Sequence, residues 1–89
     1  MGTGVPTVTE LINQLFETHL HPTENRKYMT IEVALMTEGI IKQPHMHRLR
    51  SGEIKNPTRE TLLALCKVFR VSPVYFFPEL DNEIDLTLR

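Results

Sequence analysis

The chain has one cysteine, no tryptophan and only four glycines among its 89 residues, and it has no long apolar run. Each shortage excludes something. Cys66 alone closes no internal disulfide and, without a second thiol, builds neither a zinc ribbon nor a redox pair. The longest apolar stretches fall well short of the ~20 residues that a membrane span requires. The opening, MGTGVPTVTE, has neither the basic start nor the apolar stretch of a signal peptide. The expectation is a cytoplasmic protein with no membrane partner. Paired carboxylates, a nucleophile with its base and a phosphate-cradling glycine loop are all missing from the pattern, so neither an enzyme nor a cofactor is expected.

Hydrophobic residues make up 40% and charged residues 24%, which is ordinary for one small globular domain. So short a chain buries a modest core, and pairing of two copies is a natural way to add stability. The formal net charge of −1 and the pI near 6.4 argue at first against a nucleic-acid partner. The distribution argues the other way. Within residues 42–59, Lys42, Arg48, Arg50, Lys55 and Arg59 stand against Glu53 alone, whereas residues 1–41 and 79–89 are each net acidic. Salt confines exposed charges to about 8–10 Å, so a local basic patch attracts phosphate whatever the total. Charge alone favours a merely solvated basic surface.

Local signals divide the chain into helices. Thr7 and Glu10 have capping-box spacing, and Val8, Leu11, Ile12, Leu15 and Phe16 recur on one face, so a first helix is expected over 8–19. His21-Pro22 opens a polar loop. A second helix is expected to begin near Thr30, with Val33, Met36 and Ile40 in phase and Gly39 as its end. Pro44 suits a first helical turn and Gly52 a left-handed cap, which gives a third helix over 44–50 with Met46 and Leu49 inward. Gln43, His45, His47, Arg48 and Arg50 are then expected to face out. Asn56-Pro57 delays the fourth helix until Thr58 caps it, and Leu62, Leu65, Cys66 and Phe69 form its core stripe. Ser72-Pro73 opens a fifth, PVYFF, whose aromatic residues read either as a platform for single strands or as packing against the fourth helix. The expected fold is all-α with five helices, organised as a domain over 1–78 and an acidic tail over 79–89. The tail alternates Ile84, Leu86 and Leu88 with polar residues and, with the fifth helix, is the expected dimer contact.

Two short helices about a glycine turn, followed by a long amphipathic helix, follow the order of a helix-turn-helix domain. The stretch MHRLRSGEIKNPTRETLLALCKVFRVSPVYFF resembles the phage-repressor, or Cro-like (XRE), helix-turn-helix family. TEGI, the proline in the recognition helix and LRSG followed by NP look most like the EspR-type actinobacterial regulators of that family. The resemblance covers roughly residues 8 to 78. It implies a five-helix bundle that binds duplex DNA, usually as a two-fold homodimer, and regulates transcription. It also implies roles for residues. Gln43 and Arg48 match positions that touch base edges, with Pro44, His45 and His47 on the same face. Ser51 and the loop after it match phosphate contacts, and Thr30 falls where family members hold a phosphate.

The chemistry of these residues agrees. Arginine's planar fork grips guanine through two acceptors, and glutamine pairs with adenine or a phosphate. Lys42, Arg50, Lys55, Asn56 and Arg59 flank the helix where backbone phosphates run. Pro44 offers apolar contact, for instance with a thymine methyl. His45 and His47 point about 200° apart on a helix, and no recognised metal spacing is present. Cys66, on a core stripe, reads as a small buried hydrophobe. The rival to DNA binding is a protein-interaction module in which the same bundle docks on RNA polymerase, a sigma factor or a toxin.

Overall fold

The structure, a computed structural model, describes residues 5–80. Four α-helices are present there: α1 (Val8–Thr18), α2 (Thr30–Met36), α3 (Gln43–Ser51) and α4 (Arg59–Phe69), followed by a single 3₁₀ turn, Pro73–Tyr75. The fifth helix is therefore corrected to one turn. Pro73 and Pro78 bracket a segment too short for more, and bonds from Tyr75 N–H to Ser72 O and from Phe76 N–H to Pro73 O close that turn. The acidic residues from 81 onward lie outside the described residues, and with them most of the expected dimer contact.

Helix starts follow local chemistry closely. The Thr7 hydroxyl accepts from Glu10 N–H at 3.1 Å while the Glu10 carboxylate accepts from Thr7 N–H at 2.9 Å, a complete capping box. Thr58 caps α4 by accepting from Thr61 N–H at 3.2 Å. Helix ends rely on left-handed residues: Gly52 after α3 at φ 87° and Arg70 after α4 at φ 60°. At Arg70 the bonds from Val71 N–H to Cys66 O and from Arg70 N–H to Lys67 O form a Schellman ending, in a place where glycine is the usual occupant.

The core joins one face of every helix: Ile12, Leu15 and Phe16 from α1, Val33 and Ala34 from α2, Met46 and Leu49 from α3, and Leu62, Leu65 and Phe69 from α4. Phe69 sits at its centre, edge-on to Phe16 at 5.2 Å and to Tyr28 at 5.3 Å. Tyr75 fastens the 3₁₀ turn to α1 by donating to Leu11 O at 2.6 Å, and Tyr75, Phe76 and Phe77 pack on the core. The aromatic run thus serves packing. Cys66 is buried, donates its S–H to Ser72 O, and burial pushes its thiol above the ordinary range, so it stays protonated.

The second-helix phase needs correction. α2 stops at Met36, short of Gly39, and Met36 and Ile40 are 45% and 51% exposed, whereas Ile41 is 1% exposed. The turn over 37–42 resets the phase, and Thr37 organises it. Its buried hydroxyl donates to Ala34 O at 2.7 Å and accepts from Ile41 N–H at 3.0 Å. Glu38 and Gly39 follow at φ 57° and 93°, two consecutive left-handed residues that swing the chain into α3.

Candidate nucleic-acid interface

α3 is a nine-residue helix with Pro44 in its first turn, Gly52 at its end, and only Met46 and Leu49 fully buried. Its other side is polar. Lys42, Gln43, Pro44, His47, Arg48 and Ser51 are exposed, and so are Lys55, Asn56 and Arg59 in the loop and the first turn of α4. Nine of the twelve expected residues are thus exposed to solvent. Among the described residues no ion pair engages Lys42, Arg48, Lys55 or Arg59, because all four bridges lie between 17 and 32. Arg59 stacks over the Phe77 ring at 5.0 Å, which steadies the guanidinium and leaves its charge in place.

The other three expected residues are only partly exposed. Arg50, assigned to the outer face, turns inward, and its carbon lies 4.0 Å from the centre of the Phe16 ring. Its Nε donates to Asn13 Oδ1 at 2.8 Å, Asn13 Nδ2 donates back to Arg50 O at 2.9 Å, and its Nη1 donates to Thr30 Oγ1 at 3.0 Å. The cause is geometric: Arg50 follows Leu49 on the side of α3 that faces α1 and α2, and its long stem covers Phe16 while the polar head finds acceptors. His45 is also half-buried, with Nε2 fully shielded and without a hydrogen-bond partner among the described residues. Thr30 keeps its place at the start of α2, partly exposed, with Arg50 on its oxygen. Asn13 was missed from the sequence. A lone polar residue beside a core stripe at the right helical offset is its only local signal, and its partner lies 37 residues away.

The rest of the surface is quieter. Among the described residues no group of three or more histidine, cysteine, aspartate or glutamate side chains converges as a metal site, and no helix is long and apolar enough to cross a membrane.

A short helix, a tight turn built on one buried threonine, and a second helix with an unpaired basic face define a helix-turn-helix protein. The chain belongs to the family of the Cro/C1-type HTH DNA-binding domain, whose profile matches residues 25–74. It is 35% identical over 86 residues to the nucleoid-associated protein EspR of Mycobacterium tuberculosis, in both strain CDC 1551 / Oshkosh and strain ATCC 25618 / H37Rv. The alignment covers 88% of this chain but only 64% of the relative, so the chain spans less than two thirds of the length of the curated relatives it matches.

Proposed function

We propose that the protein is a sequence-specific double-stranded DNA-binding transcriptional regulator, nucleoid-associated in the cytoplasm and dimeric on its site, with α3 in the major groove. The observation that carries this reading is the exposed basic tract of Lys42, Arg48 and Lys55, free of internal ion pairs among the described residues, in a Cro/C1-type domain. Arg48 and Gln43 read base edges. Ser51, Lys55, Asn56, Lys42 and Arg59 meet phosphates, and Pro44 and His47 add shape at the groove wall. A dimer on one face of the duplex sets half-sites about 34–36 Å apart.

Selection of bound duplexes from a random pool tests DNA binding, base preference and half-site symmetry together. Arg48→Ala is expected to cost about 1–3 kcal/mol and relax preference at one position, while Lys55→Ala weakens all sequences alike and flattens the salt slope. Unchanged base preference after the Arg48 substitution rejects the assignment.

One observation favours a second reading, in which the bundle binds the transcription machinery. Leu20, Met36 and Ile40 are exposed large hydrophobics lining two adjoining grooves of about 260 and 250 Å³, with Lys67 and Arg70 at the rim. Such a groove suits an acidic, partly apolar protein segment. Duplex affinity that falls steeply with salt supports the first reading, and binding to a protein segment by a chain with no affinity for duplex at any salt supports the second.

A further inference from the structure

Arg50 lies within the most basic stretch of the chain, yet every contact it makes is internal. It ties three helices at once: Phe16 and Asn13 on α1, Thr30 on α2, and its own backbone on α3, whose Arg50 carbonyl accepts from Asn13. Its charge also helps lower the Glu17 carboxyl, after the larger effects of Lys27, which places that charge on the α1 side. The bond to Thr30 has a chemical consequence. Nη1 donates to the hydroxyl oxygen, so the hydroxyl proton points elsewhere, and the hydroxyl makes no second hydrogen bond among the described residues. A guanidinium-polarised hydroxyl, partly exposed at the start of α2, is a ready donor to an anionic oxygen.

We propose that Arg50 acts on DNA only through other residues. It fixes the roll of α3 against α1 and aims the Thr30 hydroxyl outward, and it touches neither base nor phosphate. It is a positioning residue for the interface, and the inference rests on the DNA-binding reading above.

The decisive substitution is Arg50→Lys, which preserves the charge. An ammonium lacks the planar fork needed to hold Asn13 and Thr30 together and stacks less well on Phe16. Affinity for the selected duplex is expected to fall about tenfold or more, with the slope of log affinity against log salt unchanged. Thr30→Val is expected to weaken binding in the wild-type background and to add little on top of Arg50→Lys, because the clamp that aims the hydroxyl is already gone. In the free protein, residual dipolar couplings of the α3 amides are expected to shift in Arg50→Lys and in the milder Asn13→Ala alike.

Wild-type affinity for Arg50→Lys overturns the proposal. So does a salt slope that drops by about 0.9 in Arg50→Met, the mark of one lost phosphate contact. Unchanged α3 couplings in both clamp variants overturn it without DNA. A wild-type protein that binds no duplex at any salt rejects the DNA-binding reading instead, and the couplings then decide the clamp alone.

Discussion

Arg26 and Lys27, in the loop before α2, sit among acids: Arg26 Nη2 lies 2.6 Å from Glu32 and its Nε 3.6 Å from Glu24, and Lys27 pairs with Glu17. Lys42, Arg48 and Lys55, on and beside α3, have no such partner among the described residues. The whole chain carries a formal charge of −1, and that total conceals the division. An ion pair spends its field on its partner, whereas an unpaired cation projects a field to about a Debye length. Glu17, Glu24 and Glu32 are thus engaged within the first half and away from α3, which is how a mildly anionic chain presents a cationic face.

The most severe way to break this comparison is to neutralise each region in turn. Lys42, Arg48 and Lys55 replaced together by alanine are expected to lose about 3 kcal/mol or more of duplex affinity, roughly a hundredfold, with a salt slope flattened by about 0.9 per lost phosphate contact. Arg26 and Lys27 replaced together are expected to leave duplex affinity within about twofold, since their charge is already cancelled. A titration series from about 0.05 to 0.2 M salt on both variants reads the difference. Equal losses in the two variants mean that overall charge, and not pairing, governs binding.

The turn that aims the second region is the next target. Thr37→Val preserves volume but leaves the buried Ile41 N–H without its side-chain acceptor, and the expected loss of stability is about 1–3 kcal/mol. Denaturant unfolding followed by circular dichroism measures it. If stability falls within this range and duplex affinity falls further than the unfolded fraction explains, the turn contributes to presentation of α3 as well as to folding.

What could be read in advance divides along the same physical line. Caps at Thr7, Thr58 and Ser72, the left-handed end at Gly52 and the inward pair Met46 and Leu49 were all legible, because each depends on residues within one turn of the chain. The exposed basic tract was legible because charged residues on a short helix default to solvent. The orientation of Arg50 was not, since nothing near it in sequence announces Asn13, Phe16 and Thr30 as its surroundings. The burial of Ile41 in place of Ile40 failed for a related reason. Helical phase was carried through a segment where Thr37, Glu38 and Gly39 had already ended the helix. Three consecutive non-aliphatic residues, one of them glycine, were the available warning. The fifth helix was overcounted because the five residues between Ser72 and Pro78 leave room for a single turn only.

The smallest expected effect sharpens the first region. The Glu32 carboxylate accepts from Arg26 through both oxygens, at 3.0 and 2.6 Å, and from Met29 N–H at 2.8 Å, with His21 Nε2 at 4.0 Å. These contacts, Arg26 foremost, bring its pKa down to about 2 from 4.5. A carboxyl whose folded value lies below its unfolded one stabilises the fold fully above about 4.5, and this contribution fades as pH falls toward about 2. Glu32→Gln retains one acceptor oxygen for Met29 N–H and removes the charge together with the second oxygen that holds Arg26. Its Tm is expected to lie a few degrees at most below wild type at pH 7, since the group is solvent-screened, and the two melting curves are expected to converge as pH approaches 2. A gap that persists unchanged at acid pH assigns the loss to packing or to the cap. A gap that closes assigns it to the pair that keeps Arg26 from behaving like Arg48.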